Sequence, residues 1–404
     1  MKIAIIAALY PPHGMGGAED CAQSFADWAV RAGHKVHVFQ AARGSDDVRR
    51  VDENSAFAVD RLPTPHIYSV TDFRNARGWQ KPIWHLQDHI DSRGATHLAS
   101  VVGAFAPDII MIHYIQGFGY RAIPVLAALG KPMAFVLHDL GLACIRMSMF
   151  KDGADCAKQC VSCRISSRYK ANLIETAAAS APLGFIAPSR AILDRIDKYT
   201  PIKQHRHAVI LNTKSYPTSV KTRTSSDQLR LLYAGKLDAT KGVDLLADAV
   251  ARVAARSAVR LEIAGSGPLE AILSARYGLE PWFKMLGFVS QGILADAMIN
   301  ADALVVPSVW PENSPGVVIQ ALMQGLPVIA SRAGGLPELV NDMNGIVIEP
   351  GRVEAIEAVI DRVAADPDVL AVRRDYLSVT DRRFAIDTIG DKTVAFLKSL
   401  SRVH

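Results

Sequence analysis

Two doubly wound α/β domains are what this 404-residue chain predicts, on three observations. It opens with a strand, a glycine turn, a helix and a second strand, at Lys2–Leu9, Tyr10–Gly17, Ala18–Ala32 and His34–Gln40. The same order restarts at Leu229, after a polar stretch rich in Ser and Thr, 213–228, that reads as a linker. The length exceeds one ordinary core, and with half the residues hydrophobic it suits two domains of about 200 residues each.

Taken in order, Lys2–Leu9 reads as a strand buried on both faces, apolar without a break from Ile3 on. One basic residue precedes the run and Tyr-Pro-Pro-His follows it, so it reads as a first strand rather than a signal peptide. No apolar run reaches about 18 residues, so no spanning helix is expected, and the protein is expected in the cytoplasm. In Gly14-x-Gly16-Gly17 the third glycine has the wrong spacing for a dinucleotide loop, and no acid ends the second strand; a nicotinamide site is not expected.

Residues 43–100 scatter Arg43, Arg49, Arg50, Arg61, Arg74, Arg77 and Lys81 among Phe73, Trp79 and Trp84. Such a cationic, aromatic surface fits an anionic membrane interface or an ordinary solvated helix face. Asp108–His113 and Pro132–His138 are short buried strands. His138-Asp139 ends the second, where ligands enter an open α/β sheet, and is a candidate site pair; His113 reads as a core histidine. Cys144, Cys156, Cys160 and Cys163 fall within twenty residues and are candidates for a structural zinc or for reduced thiols in a loop. Arg168–Ala181 is expected helical, Leu183–Pro188 a strand, Ser189 a helix cap and Ala208–Asn212 a last strand.

In the second half Leu229–Gly235 is a strand, followed by Lys236-Leu237-Asp238-Ala239-Thr240-Lys241-Gly242. Two lysines at a strand end and a helix start suit a diphosphate. Strands are expected at Val259–Gly265, Lys284–Val289, Ala303–Ser308 and Gly345–Pro350. Within Glu312–Glu338 the turn Asn313–Val318 opens a helix that stops at Gly325, so its first N–H groups and the dipole behind them form an anion cradle. Glu312 and Gln320 flank that cradle and can bond sugar hydroxyls. The last stretch, 381–401, has Ile386, Ile389, Phe396, Leu397 and Leu400 at helical spacing, with a bend expected at Gly390. Formal net charge is +5, mild enough for anionic substrates or an anionic membrane, and no basic run interleaved with aromatics points to nucleic acid.

The stretch ENSPGVVIQALMQGLPVIASRAGGLPE resembles the signature of the retaining, nucleotide-sugar-dependent glycosyltransferases of family 4, which have the GT-B fold. Glu312 fits the first acid of the signature, and Ala321, Gly325, Pro327, Gly334, Gly335 and Glu338 fit its tail; Gln320 stands where the family has its second acid. The resemblance implies two Rossmann-like domains facing across a cleft. Residues 1–212 would form the acceptor side, 229–380 would bind the nucleotide sugar, and 381–404 would cross back to the first domain. It implies His138, Lys241 and Glu312 as catalytic residues. For donor binding it implies Gly16, Gly17, Lys236, Lys241, Phe288, Val289, Glu312, Asn313, Ser314, Gly316, Val317, Val318 and Gln320. It implies transfer with retention, no catalytic metal, a nucleoside diphosphate sugar as donor, and a glycan or lipid-linked acceptor at the inner face of the plasma membrane. A sugar-nucleotide epimerase and a non-catalytic partner subunit of the same fold stay open as alternatives.

Overall fold

The computed structural model describes residues 1–12, 17–44, 47–51, 57–73, 75–151, 153–217, 226–373 and 382–401. Gly16, Arg74 and most of the linker lie outside the described residues. The chain divides into two compact units. The first comprises Met1–Met149, Lys158–Lys214 and Ile386–His404, the second Phe150–Ala157 and Ser215–Ala385.

The strands, in chain order, are β1 (Lys2–Ala7), β2 (Lys35–Ala41), β3 (Arg49–Val51), β4 (Ala58–Leu62), β5 (Ile109–Tyr114), β6 (Met133–Val136), β7 (Phe150–Lys151), β8 (Ala154–Asp155), β9 (Leu183–Ala187) and β10 (Arg206–Val209). The second half adds β11 (Leu229–Ala234), β12 (Val259–Ala264), β13 (Phe283–Gly287), β14 (Ala303–Val306), β15 (Val328–Ser331) and β16 (Gly345–Ile348).

In the first unit the sheet order is β10-β9-β6-β5-β1-β2-β4-β3, parallel except for the edge strand β3. The chain runs outward from β1 to β4, then returns through β5 to the other side, so the order reverses between β1 and β5. Ligands of open α/β sheets bind beyond the carboxyl ends of the strands at such a reversal. Helix Gly17–Arg31 covers one face, and its Ala22, Phe25, Ala26 and Ala29 pack on Ile3, Ile5, Val36 and Val38.

Helix Ile386–Leu400 lies in the same core through Ile389, Val394, Leu397 and Leu400. The helix runs through Gly390 without a break in its assignment as helix. A β-carbon there would fall 2.3 Å from the Trp28 ring, so the glycine lets the indole lie flat against the helix, and Trp28 Nε1 donates to Asp387 Oδ1 at 2.9 Å. The expected helix at 168 begins earlier, at Val161, with the extended Cys160 as its first residue out, and runs to Ala178.

The second unit has six parallel strands in the order β13-β12-β11-β14-β15-β16, reversing between β11 and β14. Its core gathers Leu231, Leu246, Val250, Leu261, Ile263, Val305 and Ile329, with Ile356 and Ile360 of helix Val353–Ala365. The β7–β8 hairpin belongs here rather than with the first unit: the Phe150 ring packs 5.1 Å from that of Trp310. An unbroken first domain to residue 212 was the expectation; this insertion carried no periodic signal that a sequence reading could use.

Candidate active site

At the reversal of the second unit, the loop after β11 carries Lys236 and Lys241, and the loop after β14 carries Ser308 and Glu312. Main-chain bonds fix the two loops together, since the N–H groups of Val309 and Trp310 both donate to Thr240 O, at 3.0 and 2.9 Å. Lys241 Nζ lies 2.7 Å from Glu312 Oε1, and Ser308 Oγ donates to the same oxygen at 2.7 Å. Glu312 is held from behind by Gly334, whose left-handed φ of +58° turns the chain so that the next N–H, that of Gly335, donates to Glu312 O at 2.6 Å. A β-carbon at Gly334 would fall 2.1 Å from that carbonyl oxygen, so a side chain is excluded as well as disfavoured.

Lys236 is exposed and reaches Asp238 Oδ2 at 3.0 Å. Asp238 is pulled down to about 2, first by the Thr240 N–H that its carboxylate caps, with Lys236 and the Thr240 hydroxyl adding to this. Lys236 thus stands beside a carboxylate held in its ionised form, while Lys241 stands beside Glu312.

Helix Gly316–Met323 begins after Pro315, with Gly316 and Val317 half-buried and Val318 buried in its first turn. Ser314 is buried and its hydroxyl has no hydrogen-bond partner among the described residues, an orphan donor at the mouth of the helix. Asn313 is half-buried. Phe288, beyond β13, lies open at 86 % exposure, with Val289 half-buried beside it.

Gln320 lies on the buried side of helix Gly316–Met323. It is 1 % exposed, and its Nε2 donates to Pro217 O at 3.2 Å. The amide therefore does what a carboxylate cannot, and the segment 216–217 covers this part of the helix. Tyr216 comes so close to Gly316 that a β-carbon there would meet its hydroxyl at 2.7 Å. Nothing in the spacing of the sequence points to Tyr216 or Pro217.

In the first unit, Gly17 opens helix Gly17–Arg31. His138 follows β6 and is half-buried, and its Nε2 lies 3.0 Å from Nδ1 of His113, at the end of β5. Burial brings His138 down to about 4 and His113 well below its ordinary value, so both rings are neutral near pH 7. Asp139 is pushed up to about 6, chiefly by burial, while the Gly141 N–H bonds it at 2.6 Å. A cavity of about 40 Å³ is lined by His113, Tyr114, His138 and Asp139. A second, of about 100 Å³, is lined by Phe73, Trp84, Asp88, Tyr114, Tyr120 and Lys170. Trp84, expected on an open surface, is instead buried, with Nε1 donating to Tyr68 O at 3.1 Å. Lys170, whose ammonium donates to Gly141 O at 2.7 Å and stands 4.0 Å over the Tyr120 ring, had no sequence signal.

The four cysteines do not assemble as a zinc set. Cys144 and Cys163 are buried with sulfurs 3.6 Å apart, but Cys160 is exposed and Cys156 belongs to the segment grouped with the second unit. Among the described residues no three of these sulfurs lie within 4.8 Å of one another; the group that does meet this spacing is Cys21, His113 and His138. Cys160 is lowered to about 7, first by the Ser162 hydroxyl and then by the Cys163 N–H, while burial pushes Cys163 up to about 12. Among the described residues no helix is long and apolar enough to cross a membrane.

Known families match both halves of the chain. Residues 15–213 match Glycosyltransferase Family 4, and residues 228–366 match Glycosyl transferases group 1. An uncharacterized glycosyltransferase of Methanocaldococcus jannaschii is 26 % identical over 379 residues, covering 91 % of this chain and 90 % of that one. A D-inositol 3-phosphate glycosyltransferase of Geodermatophilus obscurus is 35 % identical over 184 residues, 42 % of this chain and 39 % of that protein. Among solved structures, Anabaena Alr3699/HepE in complex with UDP is similar with a TM-score of 0.68 at 20 % identity, covering 99 % of this chain and 100 % of that one. Sucrose-phosphate synthase from Thermosynechococcus elongatus is similar with a TM-score of 0.71 at 18 % identity, covering 99 % and 98 %.

Proposed function

The chain is a glycosyltransferase of the family 4 type with the GT-B fold, a hexosyltransferase-type enzyme, and from that premise we propose that it moves a sugar from a nucleoside diphosphate sugar to a hydroxyl of a glycan or lipid-linked acceptor, with retention of configuration. The observation that carries this reading is the Lys241–Glu312–Ser308 cluster at the strand-order reversal of the second unit, where a doubly wound sheet takes its ligand. A departing diphosphate gathers negative charge as the sugar bond breaks. Lys241 and Lys236 meet that charge, with the Ser314 hydroxyl and the first N–H groups of helix Gly316–Met323.

Glu312, fixed by Gly335 and Ser308, orients sugar hydroxyls rather than acting as a base. The leaving diphosphate itself takes the acceptor's proton. Phe288 and Val289 supply the loop for the base. His138 and the glycine turn at Gly17 are the first unit's candidates for the sugar, with His138 acting as a neutral hydrogen-bonding group. This reading needs no catalytic metal, and it places the enzyme's work at the cytoplasmic face of the membrane, where lipid-linked acceptors would be met.

The test is ligand-induced thermal stabilisation with UDP-, GDP- and ADP-sugars. UDP-glucose comes first, because the Anabaena protein of the same fold was solved with UDP and with UDP-glucose. A shift with one donor, abolished in Lys241→Ala, supports the reading. A shift that survives that substitution moves the site elsewhere, and conversion of the donor to its epimer without acceptor replaces transfer by isomerisation.

A further inference from the structure

Strands β6 and β9 pair in parallel, and helix Val161–Ala178 lies on the crossover between them. That helix opens on Cys160-Val161-Ser162-Cys163, a Cys-x-x-Cys run at the head of a crossover helix. This is the place and the spacing of dithiols that exchange with other disulfides. Cys160 stands in extended backbone just ahead of the first turn, and it is exposed. Its Sγ lies 3.2 Å from the Ser162 hydroxyl and accepts from the Cys163 N–H. The positive end of the 18-residue helix lies behind it. All of these favour a thiolate at a sulfur open to solvent, and Cys160 is lowered to about 7, with the Ser162 hydroxyl the largest cause.

Cys163, in the first turn, is buried and meets two thiols rather than one. It bonds the Cys160 thiol, and its Sγ donates to Cys144 Sγ at 3.6 Å. Cys144 is buried as well, in the segment that follows β6. From solvent inward the order is thus an accessible nucleophile, a thiol able to resolve it, and a buried end point. The segment of Cys144 is already tied to the helix, because Lys170 Nζ donates to Gly141 O at 2.7 Å. A bond between Cys144 and Cys163 therefore asks for an approach of two side chains and leaves both elements in place.

We propose that Cys160, Cys163 and Cys144 form a thiol–disulfide exchange relay, which takes up a low-molecular-weight disulfide at Cys160 and stores the oxidation as a Cys144–Cys163 bond. The Cys160 thiolate attacks one sulfur of the small disulfide, forming a mixed disulfide and expelling one small thiolate. Cys163 then attacks the Cys160 sulfur, the second small thiolate leaves and takes up the Cys163 proton, and a Cys160–Cys163 bond is formed. Cys144 attacks the Cys163 sulfur in turn, loses its proton to solvent and releases Cys160 as a thiolate. The last step runs in this direction because Cys160, the more acidic of the bonded pair, is the better leaving group. Two protein thiols are oxidised and one small disulfide is reduced to two thiols. Ile145 and Met147 of the Cys144 segment and Lys170 of the helix line the cavity of about 100 Å³, so the stored bond joins two of its walls. The relay uses none of the residues assigned to sugar transfer, so it fails or holds independently of that reading.

The test gives the reduced full chain one molar equivalent of glutathione disulfide and follows the products by alkylation and non-reducing peptide mass mapping. In the reduced protein Cys160 is the first thiol alkylated. After oxidation the Cys144–Cys163 disulfide is found with Cys160 free, and dithiothreitol reverses it. Cys163→Ser stops the reaction with glutathione on Cys160, and Cys144→Ser stops it at the Cys160–Cys163 disulfide. Cys160→Ser slows formation of the Cys144–Cys163 bond at least about tenfold without changing which bond forms. Cys160 is exposed, so far-UV circular dichroism of this variant matches wild type, and the wild-type mapping depends on no variant. The proposal is overturned if glutathione remains on Cys160 of the wild type, if the disulfide joins Cys156 or two chains, or if Cys160→Ser is oxidised at the wild-type rate.

Discussion

At the strand-order reversal of the second unit the side chains are charged, and each lysine has a carboxylate within hydrogen-bond distance in the same pair of loops. At the reversal of the first unit the strand ends carry a neutral histidine pair and a carboxyl group that burial has made a weak acid. The backbone plan is alike and the chemistry is opposite. Short loops open to water can keep ions, because the solvent and a nearby partner share the cost of the charge. Strand ends sunk into a sheet hold ions at a higher cost, so the two histidines there stay neutral near pH 7 and the Asp139 carboxyl ionises only as pH rises through about 6. One unit is suited to grip an anion and the other to recognise hydroxyl groups.

The sharpest way to break this comparison is Lys241→Ala. It removes a cation from the ionic site and leaves Glu312 with Ser308 alone, so donor turnover falls about 10²–10³-fold. A turnover near wild type would mean that charge at the second unit is surface decoration. Gln320→Glu comes next. It replaces a buried donor to Pro217 O with a buried carboxylate facing a carbonyl, which costs about 1–3 kcal/mol. The melting temperature of the second unit drops, by about 2–4 °C for each kcal/mol. An unchanged melting temperature would return Gln320 to the ligand.

Gly390→Ala confines the damage to the other unit. Its methyl group enters the Trp28 ring and destabilises the first unit by about 1–3 kcal/mol, with donor-induced stabilisation of the second unit retained.

The smallest effect is one of pH. His138 is held near 4 and His113 well below its ordinary value, against about 6.5 unfolded. As pH falls from 6.5 toward 4 the unfolded chain takes up protons that the folded one does not, so these rings withdraw stability over that window. Asp139 runs the other way: at about 6 folded against 3.8 unfolded, it favours the folded state in acid and loses that contribution as pH rises through 6. Imidazole NMR signals of His113 and His138 that stay in the neutral form down to about pH 5 confirm the buried pair; a midpoint near 6.5 refutes it.

The second unit was the more legible of the two, for reasons that its residues make plain. Lys236, Lys241, Glu312 and Gly334 sit in loops whose roles follow from immediate neighbours: a strand end, a helix start, a positive φ. The partners missed there, Tyr216 and Pro217, reach Gly316 and Gln320 across about a hundred residues, and no local pattern announces such a contact. In the first unit distance of this kind is the rule. His113 looked like an ordinary core histidine, yet it pairs with His138 from the neighbouring strand. Trp84 looked like part of an open cationic surface, yet only the other side of its helix is open. Gly390 looked like a bend because the tryptophan that requires it lies near the opposite end of the sequence.

That last contact bears on how the protein is made. The first unit's core includes Ile389, Val394, Leu397 and Leu400, which leave the ribosome well after the strands and the helix they cover. Between the two, residues 215–385 must be synthesised, which at about 5–20 residues per second takes roughly ten to thirty seconds. Throughout that interval Trp28 and the apolar face around it await their cover. Their exposure to chaperones, proteases and other unfinished chains is set by the length of the second unit rather than by any property of the first.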